Sequence, residues 1–267
     1  MADIALLGVP YDGSSSHLRG AARAPAMIRR ELARVAEFSN LFTESGLDLE
    51  GPGALRDAGD LPVEDPEQTR GAIERGVSDI LLAGERPLLL GGDHSITYPA
   101  LRGVHGVLGQ VDVLHLDAHP DLYPEFQGDR FSHACPFARA LEAGLVSRLV
   151  QVGIRAATPP QLQVAERHGV EMLPMRDWGK PAGYFFDRPL YISLDLDVLD
   201  PAFAPGVAHP EPGGLSVREV IALLQRVHGK VVAADLVEYN PDADRDGQTA
   251  TVCVKLLKEL AGLLAAE

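Results

Sequence analysis

Cysteine is scarce in this chain: Cys135 and Cys253 are the only two in 267 residues, and no CxxC pair exists. That excludes a disulfide framework and leads to the expectation of a reducing, cytoplasmic setting. Positive charge is short as well. Lys and Arg number 24 against 38 Asp and Glu, a net charge of −14. No run of Lys and Arg offers the basic face that a nucleic acid or an anionic membrane requires, so neither is expected as a partner. No apolar stretch approaches the ~20 residues needed to span a bilayer. Met1-Ala2-Asp3 runs straight into an apolar strand-like stretch without the basic and long apolar regions of a signal peptide, so none is expected. Gly91-Gly92 and Gly213-Gly214 lack the lysine and the spacing of phosphate-binding loops. There is no internal repeat, low-complexity tract or linker. Hydrophobic residues make up 46% and charged residues 23%, the balance of an ordinary globular protein. A single domain over residues 1–267 is expected.

What the chain has is regular alternation. Short apolar runs read as strands at Ile4 to Val9, Leu88 to Leu90, Val111 to Leu116, Leu149 to Ile154, Leu190 to Leu194 and Val231 to Val237, with two further candidates at Leu55 to Asp60 and Val170 to Leu173. Longer helical patterns lie between them. Pro25 takes a first-turn position ahead of a helix through Ile28, Leu32 and Val35. Asp65-Pro66-Glu67 opens another, with Ile73, Val77, Ile80 and Leu81 as its apolar stripe. Helices are also expected near Pro136 to Ala143, Pro160 to His168, Val217 to Val227 and Thr249 to Leu264. Gly51-Pro52-Gly53 and Trp178 to Asp187 read as surface loops. Apolar strands alternating with helices predict an α/β fold: three α/β/α layers around a largely parallel central sheet. Ligands of such sheets bind beyond the carboxyl ends of the strands.

Those ends carry the chemistry. Leu88 to Leu90 leads through Gly91-Gly92 into Asp93-His94-Ser95. Val111 to Leu116 leads into Asp117-Ala118-His119-Pro120-Asp121, and Tyr191 to Leu194 into Asp195-Leu196-Asp197. In an extended segment the three ligand-type residues of the DxHxD triplet share one face. Two unit charges ~4 Å apart repel by roughly 4 kcal/mol at an effective dielectric of about 20. Several such pairs would consume a domain's stability of ~5–15 kcal/mol. Divalent cations remove the conflict, and His with carboxylate suits Mn²⁺ or another borderline ion. Carboxylates bridge two cations, whereas a neutral imidazole binds one without adding charge. A metal can lower the pKa of water from ~15.7 toward ~7, worth roughly 12 kcal/mol at 1.36 kcal/mol per unit. The pattern points to a two-metal hydrolase with His94, Asp117, His119, Asp121, Asp195 and Asp197 as candidate ligands.

Each cluster alone has a plainer reading: a surface loop, turn-forming aspartates, a structural histidine. Their joint placement at three strand ends outweighs it. His133, a short loop beyond the triplet, is a candidate proton shuttle. Glu238, ending the strand Val231 to Val237, is suited to hold a planar cation bidentately. His17, His105, His115, His168 and His228 read as structural.

Together these motifs resemble the ureohydrolase family of arginases and agmatinases. Gly8-Val9-Pro10-Tyr11-Asp12 and Arg19-Gly20-Ala21 through Ile28-Arg29 resemble its N-terminal signature. Gly91 to Ser95, Asp117 to Asp121, Ser193 to Asp197 with Asp200-Pro201, and Val237 to Pro241 resemble its metal and substrate motifs. The resemblance implies a binuclear manganese centre, with nickel or another divalent ion as the alternative. His94, Asp117, Asp121 and Asp195 would hold one ion, and His119, Asp117, Asp195 and Asp197 the other. It implies His133 as the proton-transfer residue, Asp121 orienting the attacking hydroxide, and Glu238 as the guanidinium holder. The implied reaction hydrolyses a small guanidino substrate to urea plus an amine, and homo-oligomers, trimers or hexamers, are common among relatives.

The loop from Leu122 to Ser132 lacks the Asn-based arginase pattern. His133-Ala134-Cys135-Pro136-Phe137 and Val150 to Arg155 look closer to agmatinases, so an agmatine-like cationic substrate is the leading expectation. Glu125 and Asp129 are the candidates to receive its amine tail, and Arg130 would pair with a carboxylate instead. Arginase is the nearest alternative, followed by hydrolases of guanidinobutyrate or another guanidino acid, and formiminoglutamase. His209 stands where relatives usually carry Thr and is a further candidate at the substrate. From other classes come a non-catalytic metal- or ligand-binding module and a single-zinc deacetylase, which would need only one His and two Asp.

Overall fold

The computed structural model describes residues 3–38, 41–50, 55–179 and 183–266. Ten strands are present among them: β1 Ile4–Gly8, β2 Leu55–Asp60, β3 Arg86–Leu90, β4 Val111–Leu116, β5 Val146–Ile154, β6 Glu171–Pro174, β7 Tyr184–Phe185, β8 Leu190–Asp195, β9 Val227–His228 and β10 Val231–Val237. Eight form one parallel sheet in the order β2-β1-β3-β10-β8-β4-β5-β6. The α-helices are α1 Ala24–Phe38, α2 Pro66–Leu82, α3 Thr97–Leu108, α4 Pro136–Glu142, α5 Pro159–His168, α6 Val217–Leu224 and α7 Gln248–Ala265.

The sheet divides the core in two. On one face Ile28 of α1, Val220 and Ile221 of α6 and Val254 and Leu257 of α7 pack on Leu88, Leu114, Ile192 and Leu236. On the other, Ile73 and Val77 of α2, Leu101 and Val104 of α3, Phe137 of α4 and Val164 of α5 pack on Leu89, Val113, Tyr191 and Val237. Neighbouring residues of one strand thus point to opposite layers, and β3, β4, β8 and β10 are apolar on both faces, as the sequence pattern requires. This is the expected three-layer α/β/α arrangement. The start of α2 also follows its sequence: Asp65 accepts hydrogen bonds from the Glu67 and Gln68 amides, at 3.0 and 3.1 Å, an ordinary N-cap.

Three elements differ from the expectations. Helix α3 was not expected, because Pro99, Gly103 and Gly106 interrupt its pattern and no side chain caps it. Gly103 lies where α3 meets α2; a Cβ there would stand 2.5 Å from the Glu74 carbonyl oxygen. Helix α6 ends at Leu224 rather than Val227. Val227–His228 instead pairs with Tyr184–Phe185, inside the stretch read as a loop. The Gly51-Pro52-Gly53 loop lies outside the described residues.

The chain passes from β3 directly to β4 and later fills the gap between them with β8 and β10. The four central strands β3, β10, β8 and β4 are therefore neighbours, and their carboxyl ends lie level. Leu236 pairs with Leu90, Val237 with Asp195 and Leu116 with Leu194.

Candidate metal centre

This alignment brings the three sequence clusters and Glu238 together. His94 is fully buried in the 3₁₀ turn after β3. Its Nδ1 lies 3.2 Å from Asp117 Oδ2, 3.0 Å from Asp121 Oδ2 and 3.1 Å from Asp195 Oδ2. His119 Nδ1 lies 2.9 Å from Asp197 Oδ2 and 3.5 Å from Asp117 Oδ1. Backbone amides anchor the carboxylates by their other oxygens. Asp195 Oδ1 accepts from the Asp197 amide at 2.8 Å, and Asp197 Oδ1 from the Ala118 amide at 3.0 Å. Asp121 takes a left-handed backbone conformation, φ 52°, an unfavourable choice for a non-glycine residue that turns its carboxylate back toward His94.

The charges are not at ease as they stand. Burial and the neighbouring Asp197 and Asp117 push the Asp195 carboxyl well above its usual range. Burial with Asp117 lifts Asp197 to about 6. Asp117 is held well below its usual range: burial opposes this, but His115, His119 and His94 outweigh it. His94 is buried, which disfavours a charged ring, yet the three carboxylates raise it well above its ordinary value.

The hydrogen bonds behind His94 say what the site is built for. Ser193 Oγ donates to Asp235 Oδ1 at 2.7 Å, so it accepts from His94 Nε2 at 2.9 Å. Tyr191 and Thr97 donate to Asp235 Oδ2, at 2.6 and 2.7 Å. The His94 proton is thereby committed to Nε2. Nδ1 is buried without a hydrogen-bond partner and presents its lone pair to three carboxylate oxygens. Without metal a second ring proton is what the three carboxylates favour at Nδ1; with the ring neutral, four acceptors converge and the donor set fits a divalent metal, and the His119, Asp117 and Asp197 group offers a second seat. His115 supports Asp117 in the same way. Gln151 donates to His115 Nδ1 at 2.9 Å, leaving Nε2–H to donate to Asp117 Oδ2 at 2.7 Å. Such supporting bonds fix ligand tautomers and orientation. Ser193→Ala should keep the fold while weakening metal retention by about 10- to 100-fold, read by metal analysis after dialysis against a graded chelator series.

These supports were missed from sequence. His115 extends the triplet to HxDxHxD at strand alternation, and Asp235 interrupts an otherwise apolar run; both signals were present.

Glu238 follows β10 with φ 63°. Its Oε1 accepts from the His94 amide at 2.8 Å and from His133 Nδ1 at 3.0 Å, while Oε2 is buried with no hydrogen-bond partner. Burial opposes its ionisation, but the His133 pair prevails and lowers the Glu238 pKa. Burial likewise works against a charged His133 ring, and Glu238 raises it to about 9. Both residues line an open cavity together with Ser16, His119, Asp121, Tyr123, Phe126, Gln161 and His209. Glycine is required at the rim: a Cβ on Gly92 would collide with the Tyr11 carbonyl oxygen, where the 11–16 loop folds over the site. Asp93 ties that loop down by accepting from the Ser14 amide at 2.9 Å.

Glu125 and Asp129 are not in the cavity. Both are exposed, and Asp129 accepts from the Phe131 amide at 2.7 Å while its backbone closes a turn with Phe126. Arg130 is turned outward to Glu142, 2.7 Å away. The structure thus leaves Glu125 and Asp129, the residues expected to receive an amine tail, exposed on the turn beside Phe126. His209 does line the cavity, with its ring 5.0 Å from His133 and 6.3 Å from His119.

Carboxylates and imidazoles converging at the ends of four parallel strands define a binuclear-metal hydrolase centre. Residues 2–262 match the arginase family model, and the chain belongs to that family, hydrolases acting on guanidino C–N bonds. It is 44% identical over 287 residues to arginase 1, mitochondrial, of Arabidopsis thaliana, covering 99% of this chain and 82% of the relative. It is 40% identical over 251 residues to the N(1)-aminopropylagmatine ureohydrolase of Thermus thermophilus, covering 90% and 84%. The solved arginase from Medicago truncatula superposes with a TM-score of 0.93 at 41% identity, covering 98% of this chain and 87% of that one.

Proposed function

We propose that this chain hydrolyses arginine to urea and the corresponding amine, using two Mn²⁺ ions. The observation that carries the guanidino reading is the buried, partnerless Oε2 of Glu238, a residue that lines the cavity beside the carboxylate cluster. A guanidinium is a planar fork of N–H donors that matches a carboxylate. His94, Asp117, Asp121 and Asp195 would hold one ion. His119, Asp117, Asp195 and Asp197 would hold the other, with Asp117 and Asp195 shared. Bound there, the ions supply a nucleophile by acidifying water at neutral pH. Glu238 receives the guanidinium and sets its carbon over the cluster. Asp121 accepts a hydrogen bond from the attacking nucleophile and so orients it. His133, kept charged near neutral pH by Glu238 and held at Nε2 by Ser16 Oγ 2.8 Å away, delivers a proton to the leaving amine.

Similarity to plant arginases over nearly the whole chain supports arginine as the substrate. A second reading, an agmatine-like substrate, is favoured by the cavity itself. Among the described lining residues there is no Lys or Arg to pair with a carboxylate tail. Urea release from arginine, agmatine and guanidinobutyrate, and formamide release from formiminoglutamate, measured with Mn²⁺-loaded protein, decides between them. Arginine is expected to give the largest kcat/KM. Agmatine ahead of arginine overturns the finer assignment, and no urea from any of them overturns the guanidino reading. Loading with Ni²⁺ in the same assay tests the metal. The single domain and the trimer or hexamer belong to this proposal, supported by the family membership. So does the cytoplasmic setting, although the named Arabidopsis relative is mitochondrial; among the described residues no helix is long and apolar enough to cross a membrane.

A further inference from the structure

Beside the carboxylate cluster lies a second group of metal-type donors. His133, His209 and Glu238 each offer one ligand atom, and the three atoms lie within 4.8 Å of one another. The three residues come from separate parts of the chain: the loop before α4, the loop after β8 and the end of β10. Glu238 Oε2 is buried with no hydrogen-bond partner. His209 Nε2 lies 3.5 Å from Ser16 Oγ, at the limit of a hydrogen bond, and the same hydroxyl is 2.8 Å from His133 Nε2. The serine thus stands between two imidazoles in a position to be displaced or to serve as a fourth donor.

We propose that His133, His209 and Glu238 form a third cation site, selective for an imidazole-seeking ion such as Zn²⁺, whose filling shuts the cavity to substrate. Two imidazoles and one carboxylate are an established tetrahedral zinc donor set, with the fourth position left open. Zinc bonds of ~2.0–2.1 Å place tetrahedral donors about 3.4 Å apart, so the rings need to close by roughly an ångström. The two regions of the cavity differ in taste. The carboxylate-rich cluster suits a harder ion such as Mn²⁺, whereas the trio suits Zn²⁺, which outranks Mn²⁺ for nitrogen donors. Burial lowers the His209 pKa and leaves its ring neutral, whereas His133, raised to about 9 beside Glu238, has to release a proton to ligate, so Zn²⁺ binding should be accompanied by proton release. An ion here would occupy the guanidinium seat on Glu238 and immobilise His133. This inhibitory consequence rests on the functional reading above; the binding does not.

The test uses the full chain carrying its Mn²⁺, in a buffer with excess Mn²⁺, titrated with Zn²⁺. Equilibrium dialysis with elemental analysis, without substrate, should show one Zn²⁺ gained per chain and Mn²⁺ content unchanged. In steady state, Zn²⁺ should raise the apparent KM of the guanidino substrate and leave kcat unaltered. His209→Ala should weaken Zn²⁺ binding at least about tenfold with the same Mn²⁺ content, and a melting curve of the variant checks its fold. Zn²⁺ gained only as Mn²⁺ is lost, or equal Zn²⁺ affinity in the two proteins, overturns the site. Because dialysis needs no substrate, a wrong substrate assignment leaves the binding result standing, and absent zinc binding leaves the hydrolase reading untouched.

Discussion

Asp117→Asn is expected to abolish retention of both cations and to cut urea release by at least about a thousandfold. Asp117 is the residue that touches both halves of the centre: Oδ2 is 3.2 Å from His94 Nδ1, and Oδ1 is 3.5 Å from His119 Nδ1. An amide supplies one neutral oxygen and an NH₂ group that cannot ligate. The lost acidification of water is worth roughly 12 kcal/mol when a pKa of ~15.7 is moved to ~7, so even partial loss has a large effect. The stability gained from Mn²⁺ separates this outcome from misfolding. Asp195 and Asp197 are both raised in part by repulsion from Asp117. Asp117 is itself held ionised by His115, His119 and His94, so its removal takes away attraction as well as repulsion in the metal-free protein; the variant should still melt cooperatively, while the extra stability gained by adding Mn²⁺ should vanish. Metal analysis and two melting curves measure both. An Asp117→Asn protein that holds two tight metal ions would show that Asp117 does not bridge.

Glu238→Gln should lower kcat/KM for a guanidino substrate by about 30-fold to several thousandfold, with metal content unchanged. Losing one member of a buried charge pair costs about 2–5 kcal/mol, and 1.4 kcal/mol is tenfold. Glutamine keeps an oxygen that can accept from the His94 amide and from His133, now 2.8 and 3.0 Å from Oε1, so the surroundings are preserved. What is lost is the charge and the second acceptor, Oε2. A further reading comes from pH. Glu238 is the main group that raises His133 to about 9 against the effect of burial. Without its charge, His133 gives up its proton at lower pH, so activity should begin to fall at lower pH on the alkaline side. An unchanged kcat/KM with guanidino substrates would remove Glu238 from the binding role.

Much of the architecture was legible because its physics is local. A parallel strand buried on both faces is apolar at most positions, and β3, β4, β8 and β10 announce themselves as such runs in spite of Asp112, His115, Ser193 and Asp235. Helix α2 carries its own start signal in Asp65-Pro66-Glu67. The candidate ligands stand out because two-residue spacing after a strand places like side chains on one face. Where local signals conflict with tertiary demands, reading failed. Gly103 weakens the pattern of α3, yet it is the residue that lets α3 approach the α2 backbone. Glu125 and Asp129 have chemistry suited to an amine tail, but whether a loop residue stays exposed is set by the fold, and both are exposed here.

Side-chain type and strand-end placement are properties of the sequence itself, and they determined that this protein handles metal with carboxylates and imidazoles. Which strands stand side by side is decided only in three dimensions. β8 and β10 lie between β3 and β4 in the sheet although both follow them in the chain. That strand order places the His94 ring against Ser193 and Asp235, sets Glu238 against His133, and leaves His209 at the cavity wall. Each of these contacts joins residues far apart in the chain, where no local pattern of spacing or hydrophobicity can record them.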